Sequence, residues 1–422
     1  MTSGAPPAFA ELVRVCARIG CISFGGPAGQ IALMHREIVD ERGWVEEGDY
    51  LSALSFCMLL PGPEAMQLAT WIGWRSHGWR GGLIAGGLFV LPGALIVGAL
   101  AAIYAAFGTV PLVAALFAGV QAAVIAVVVE ALLRVSKRAL KSRQARVIAL
   151  LSFLGLAGFA LPFPVIILTA ALWGLATARG ATVSPSGPAP WRASLRALLV
   201  WGAVWLIPLG LLLLQGGILA EIGLFFSKLA LLTFGGAYAV LAWMAQDVVQ
   251  AKGWLTLTQM MDGLGLAETT PGPLILVTEF VGFLAAFKTG GMAAGLAGAV
   301  VALWMTFAPC FLWIFAGAPW IARLTAAPRL SGALAAITAA VVGVIAHLSL
   351  WFALHVLFSV TWRFEAGPLS LLMPEPESLR LLPLAIALGA GWLLLRRHWS
   401  LPWVLALAAG VSAAVSLVAQ TL

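Results

Sequence analysis

The sequence predicts an all-α integral membrane protein, an inverted-topology repeat of two homologous helical halves with broken or re-entrant Pro-Gly-Pro helices. Three observations predict it. Hydrophobic residues fill 62% of the 422 positions and charged residues only 10%, whereas soluble domains carry about 25% charged residues. Apolar runs of the roughly 20 residues needed to cross a hydrocarbon core about 30 Å thick recur along nearly the whole chain. The chain also repeats itself: Phe24, Gly25, Gly26, Met34, Gly43 and Trp44 return, without gaps, as Phe234, Gly235, Gly236, Met244, Gly253 and Trp254, an offset of 210 (234 − 24).

The same offset carries Pro61-Gly62-Pro63 onto Pro271-Gly272-Pro273, Arg18 onto Lys228 and Glu11 onto Glu221. Further on, Pro92 pairs with Pro309, an offset of 217 (309 − 92), so the second half carries a small insertion. Each half therefore reads alike. A first helix (8–30 and 217–240) ends near Phe-Gly-Gly and leads into a polar, Trp-containing loop. Two half-length helices split by Pro-Gly-Pro follow (49–76 and 258–287), then two long helices (82–107 and 111–138; 291–317 and 330–358). Shorter helices close each half (146–178 and 380–420). The domains are thus 1–180, a first repeat; 181–215, a Pro/Gly/Ser-rich linker with an extra apolar helix over Leu195 to Leu214; and 216–422, a second, inverted repeat. If each Pro-Gly-Pro segment and the extra stretch cross the bilayer, the chain makes roughly 13 crossings; if the Pro-Gly-Pro segments re-enter, about 10 remain.

Orientation follows from Lys and Arg. Net charge is +7, and its densest group is Arg134, Lys137, Arg138, Lys141, Arg143 and Arg146, read as a cytoplasmic loop after the fourth helix and not as a substrate site. In half two, Arg323 and Arg329 precede the corresponding helix and only Arg363 soon follows it. The repeated helix therefore runs oppositely in the two halves, the plan of many secondary transporters.

Bare backbone N–H groups are not tolerated in lipid, so a helix broken at membrane depth is buried in protein or lines a cavity. At each break Gly62 or Gly272 lets the chain turn, and Pro63 or Pro273 suits the first position of a new helix. That helix start presents free N–H groups and the positive end of its dipole. Two such ends facing each other, with the Thr269 and Thr270 hydroxyls beside the second, would hold a tetrahedral oxyanion without a metal. The substrate-binding candidates are Pro61, Gly62, Pro63, Thr269, Thr270, Pro271, Gly272 and Pro273. Gly25, Gly26, Gly235 and Gly236 join them, or serve only as left-handed turns and packing points. Arg14, Arg18 and Lys228, intramembrane cations, either offset substrate charge or reach to the headgroups. Glu130 and His347 occupy matching positions and are candidates for a proton relay; salt-bridging is the alternative. Glu64 and Glu279 sit beside the breaks, Gln67 and Gln121 are helix–helix hydrogen-bonding candidates, and Gly82/Gly86 and Gly291/Gly295 read as helix packing pairs.

Other chemistries are excluded. The sequence has no nucleotide-binding loop, no G-x-S-x-G and no His/Cys cluster, so no enzymatic role, metal or cofactor is expected, and no nucleic-acid partner. Cys16, Cys21, Cys57 and Cys310 read as buried free thiols. Glu11, Arg14 and Arg18 interrupt what would be the apolar core of a cleavable signal, so none is expected.

With these residues in hand, the chain resembles the chromate ion transporter family in its long, two-domain form. The resemblance rests on FGGPAGQIALMHREIV, LLPGPEAMQLATWIGWRSHGWRGG, LTFGGAYAVLAWM and GLGLAETTPGPLILVTEFVGF, and covers nearly the whole length. It implies efflux of chromate, with sulfate-like recognition, across a bacterial inner (plasma) membrane, conferring chromate resistance. It also implies two homologous domains of opposite orientation. Leu59-Leu60 stands in half one where half two has Thr269-Thr270, which makes the hydroxyl contribution asymmetric. The expected partners are the small oxyanion and the lipid bilayer; a homodimer is left open. Rival readings are an inward carrier of sulfate or another small anion, and a non-transporting membrane scaffold.

Overall fold

The computed structural model describes residues 6–24, 26–108, 110–178, 191–234, 237–321, 324 and 327–421. Helices dominate, and among the described residues six are long and apolar enough to cross a bilayer. Their outer faces carry large apolar side chains, Leu95, Leu214 and Trp403 among them, at 67%, 86% and 71% exposure. A protein in water does not leave so much apolar surface bare. This is a multi-pass membrane protein.

Half one runs α1 (Phe9–Ile22), α2 (Gly26–His35), α3 (Glu47–Leu59), α4 (Glu64–Phe107), α5 (Pro111–Ala139), α6 (Arg143–Phe159) and α7 (Phe163–Thr177). The extra apolar helix α8 (Trp191–Gln215) follows. Half two repeats the order with α9 (Gly217–Leu232), α10 (Ala237–Gln246), α11 (Leu257–Thr269), α12 (Val277–Gly317), α13 (Pro328–Leu357), α14 (Leu381–Leu395) and α15 (Leu401–Thr421). A matching π turn ends α2 at Arg36–Asp40 and α10 at Asp247–Ala251. Pro111 and Pro328 each open a helix, where their missing N–H costs nothing.

Two boundaries differ from the sequence reading. The first helix of each half stops at Ile22 or Leu232, before Phe-Gly-Gly, because the backbone turns at Ser23 (φ −84°, ψ 72°) and Thr233 (φ −78°, ψ 73°). What read as a polar loop is therefore largely the short helix α2 or α10. Secondly, α4 and α12 each reverse direction inside. Gly78 (φ 60°, ψ −152°) and Gly291 (φ 66°, ψ −154°) take backbone conformations open to glycine. Gly291 is thus a turn and not the packing residue expected. Past the turn the two arms of α4 run back along each other: a Cβ on Gly73 would lie 2.2 Å from the Gly81 carbonyl, and one on Gly86 2.2 Å from the Thr70 hydroxyl. Gly82 and Gly86 do pack helix on helix.

The Pro-Gly-Pro segments are hairpins. Asp49, at the start of α3, bonds Arg75, at the end of the first arm of α4, at 2.6 Å. Gln259, at the start of α11, accepts from Lys288, at the end of the first arm of α12, at 3.2 Å. Each segment therefore returns to the side it entered from, with Pro-Gly-Pro at its tip, which is the re-entrant form.

The halves interlock. The closing helices α6 and α7 pack on α13 of the other half, and α14 and α15 pack on α5. Small residues permit the close approach: Gly119 lies on the Ala408 carbonyl and Gly343 on that of Ala149. Between α13 and α14 a two-stranded hairpin, β1 (Thr361–Ala366) and β2 (Leu369–Pro374), adds the sheet that the sequence reading lacked. Three of the four cysteines are buried; Cys21 is exposed, contrary to expectation, because it faces outward from the last turn of α1.

Candidate functional site

Local turns aim each half at the other. At Ser23 the Phe24 N–H donates to Ile22 O at 3.0 Å, and at Thr233 the Phe234 N–H donates to Leu232 O at 2.9 Å. These inverse γ-turns leave the Ser23 and Thr233 carbonyls free of their own helices. Each accepts from the opposite half's break: Gly272 N–H to Ser23 O at 2.9 Å, and Gly62 N–H to Thr233 O at 2.8 Å. A hairpin tip of one half is thereby tied to the first helix of the other.

The arm of α4 or α12 past its internal turn completes each junction, again crosswise. A Cβ on Gly93, just after Pro92, would lie 2.2 Å from the Pro271 carbonyl, so only glycine lets helix and tip meet. Cys310, just after Pro309, sits against Gly62, its Sγ 2.7 Å from where a Cβ would be. Two buried glutamines finish the hydrogen bonding. Gln67 Nε2 donates to Pro61 O at 2.7 Å, and Gln30 Nε2 to Gly272 O at 2.6 Å and Ser23 O at 3.3 Å. Backbone freed by a break inside lipid is satisfied in this way.

At the first tip a cavity of about 200 Å³ opens, lined by Leu60, Gly62, Glu64, Arg138 and Thr338 among others. It joins the N-terminal turn of the returning arm to one guanidinium and one carboxyl. Arg138 is the residue of the basic run that sequence reasoning assigned away from substrate. The run continues past the end of α5, but Arg138 lies within its last turn, exposed, and reaches the cavity's rim.

The structure brings Pro61, Gly62 and Pro63 together at one junction and Pro271, Gly272 and Pro273 at the other, all buried. No residue of the second tip lines the first tip's cavity. The Thr269 and Thr270 hydroxyls donate to Leu266 O at 2.8 Å and Ala267 O at 3.3 Å, closing the end of α11. Gly26 (φ 71°) opens α2; Gly25, Gly235 and Gly236 lie outside the described residues. Arg18 and Lys228 are exposed on their helices. Arg18, 58% exposed, is 3.6 Å from Glu37, whose carboxylate Arg42 also holds at 2.7 Å. Glu130 pairs with Arg134 one turn on. His347 lines a different cavity, and its Nδ1 is buried without a hydrogen-bond partner.

Sequence reasoning passed over Asp262. It accepts from Tyr104 Oη and from Gln121 Nε2, both at 2.6 Å, and so ties α11 to α4 and α5 of the other half. Gln121 does bond between helices as expected, whereas Gln67 bonds Pro61 O within its own tip, where the break frees a carbonyl. The signal was available, since an acid in an apolar stretch needs a reason. Glu279 is 4% exposed, with Oε2 unpaired, and packs against Gly98.

The chromate transporter family model matches residues 10–175 and again 220–414. This chain belongs to the chromate transporter family. The double match is that of the family's long form. The chain is 32% identical over 410 residues to the chromate transport protein of Pseudomonas aeruginosa, covering 93% of this chain and 94% of that one. It is 30% identical over 354 residues to the chromate transport protein of Cupriavidus metallidurans (79% and 80% covered). It is 32% identical over 340 residues to a probable chromate transport protein of Synechococcus elongatus (80% and 82% covered). No solved structure matches the chain.

Proposed function

We propose that this chain is a secondary transporter that exports chromate, a sulfate-like dianion, across the bacterial inner membrane and so confers chromate resistance. The observation that carries the reading is the pair of re-entrant tips, each bonded through its glycine N–H to the first helix of the other half. Two equivalent junctions that each span both halves can open one at a time. An inverted relation between repeats 1–180 and 216–422, joined through 181–215, would set those openings on opposite sides of the membrane.

In the cavity at the first tip, the amides beginning at Glu64 and the Arg138 guanidinium supply positive charge for an oxyanion. The Glu64 carboxyl shares that cavity and competes for the same donors, so an arriving dianion displaces it. At the second tip, the buried Pro271, Gly272 and Pro273 form the corresponding station, and the Thr269 and Thr270 hydroxyls join it by turning their protons from Leu266 O and Ala267 O toward the anion. Arg18 and Lys228 then act by drawing anions toward the membrane surface. Gly26, which opens α2 at φ 71°, acts by letting the chain reverse beside the first tip, and Gly25, Gly235 and Gly236 stand as further candidates for contact with the anion.

No coupling ion is required. One charge moved through 100 mV is worth about 2.3 kcal/mol, so a dianion leaving a negative interior gains about 4.6 kcal/mol. At 1.4 kcal/mol per tenfold, that sustains roughly a thousandfold gradient. A proton relay through Glu130 and His347 is a separate proposal, and it calls for Glu130 to leave Arg134. The test is uptake of radiolabelled chromate into everted vesicles. Uptake should require a membrane potential, stop when the potential is dissipated, and fall when sulfate competes. Uptake that ignores the potential and follows an imposed sodium or proton gradient inward would favour the rival carrier reading. No flux at all would favour a scaffold.

A further inference from the structure

The second half differs from the first in one built feature. Half one passes from α5 to α6 between Ala139 and Arg143, whereas half two takes the stretch from Leu357 to Leu381 to pass from α13 to α14. The extra chain folds as the β1–β2 hairpin, pinned at its base by Arg380 N–H to Leu357 O at 2.7 Å and Ser359 N–H to Ser378 O at 3.1 Å. Under it lies a cavity of about 450 Å³ bounded by α6, α10, α13 and the hairpin. We propose that this cavity is a second oxyanion-binding site, a vestibule that receives a tetrahedral dianion apart from the Pro-Gly-Pro tips. The choice of a dianion as occupant rests on the transport reading; the site itself does not.

Its chemistry points to an anion. The polar lining consists of Arg363, His347, His355, Gln246 and Gln250, with hydroxyls from the hairpin, and no lining residue is a carboxylate. Arg363 supplies a fixed positive charge that matches a tetrahedral oxyanion bidentately. Its Nη2 donates to Gln250 Oε1 at 3.2 Å, which leaves the Gln250 amide N–H₂ free to donate into the cavity. His355 is held by Nδ1–H to Trp351 O at 2.8 Å, and the Trp351 ring leans on it with centroids 4.7 Å apart. His347, with its Nδ1 unpartnered, lies deeper along the same helix face. Room for about 15 waters, at about 30 Å³ each, admits the ion with part of its hydration shell. One cation and several neutral donors hold a dianion without trapping it, as a transport path requires.

The test uses the full-length protein in detergent, with sulfate as probe because it does not oxidise thiols. Cys21 is replaced (Cys21→Ser) and a thiol is introduced at the cavity wall by Ser370→Cys. Sulfate should slow maleimide labelling of that thiol about tenfold, and chloride at equal ionic strength should not. Adding Arg363→Gln and Gln250→Leu should abolish the protection and raise half-saturating chromate about tenfold for exchange in right-side-out vesicles, where the hairpin side meets the medium, with maximal exchange within about twofold. Equal slowing by chloride, no slowing at all, or protection that survives the paired substitutions would overturn the proposal. A Gly62→Ala variant separates the two readings, since it should lose flux yet keep sulfate protection at the introduced thiol. Failure of the tip reading would show as normal flux in that variant, with the vestibule result standing on its own.

Discussion

Gly62→Ala tests the junction geometry most sharply. Gly62 has φ +124°, a conformation that L side chains rarely adopt. An added Cβ would lie 2.7 Å from Cys310 Sγ and 2.8 Å from Gln67 Nε2. Backbone strain of this kind costs about 1–3 kcal/mol, and overpacking in a filled core adds about 1–3 kcal/mol. Moving the Gln67 amide also weakens its 2.7 Å bond to Pro61 O, worth about 1 kcal/mol. The sulfur and the amide can each yield a little, so the expected total is about 3 kcal/mol, close to a hundredfold shift in the tip's equilibrium. The assay pairs chromate uptake in everted vesicles with thermal unfolding of the detergent-purified protein. Flux should fall by about two orders of magnitude while membrane insertion persists. Adding Cys310→Ala removes the sulfur and should restore about 1 kcal/mol, since the two sites touch and do not act additively. Gly87→Ala, where nothing lies within 4 Å of the new Cβ, is the matched control and should be neutral. Wild-type flux and stability in Gly62→Ala would show that the tip is not held against the other half as described.

Further expectations concern the surroundings of the tips. Gln30→Leu leaves the Gly272 carbonyl without its 2.6 Å donor and should lower stability by about 1–3 kcal/mol, read by thermal unfolding; an unchanged midpoint would remove Gln30 from the junction. Glu64→Gln takes a competing negative charge from the first cavity. It should lower half-saturating chromate about tenfold, the size of a one-unit electrostatic interaction, and an increase instead would mean the carboxylate assists binding. His35 lies at the foot of the first hairpin, 2.6 Å from Glu47 and 3.2 Å from Asp40. The hydrogen bond with Glu47 raises its pKa above the ordinary 6.5, against a smaller opposing effect of burial. The imidazolium is thus favoured in the folded protein, so its stabilisation is complete below about pH 6.5 and fades as pH rises through the raised value. His35→Gln should therefore cost under about 1 kcal/mol at pH 6, the partners being exposed, and nothing at pH 9. A cost that grows with pH would reverse the assignment.

The sequence by itself determined the membrane class, the duplication and the position of both breaks. Apolar runs and proline are local facts: hydrocarbon requires helices, and Pro61 or Pro271 cannot continue one whatever surrounds it. It also marked Gly62 and Gly272, since a turn between two prolines needs a residue free of Cβ. Only the tertiary structure decided that the breaks are hairpin tips, because the ties from Asp49 to Arg75 and from Gln259 to Lys288 join residues far apart in sequence. The partners of the tips were likewise hidden. Ser23 and Thr233 contribute through backbone carbonyls, and a carbonyl leaves no trace in side-chain identity. Gly93 is one of 46 glycines until Pro271 is seen against it. Arg138 read as one more charge in a cytoplasmic run, and the packing of the first tip against the end of α5 set it at the cavity. The hairpin over the vestibule was illegible for a related reason: two short strands gain their stability from each other and from the helices beneath, and periodicity along one chain does not report that contact.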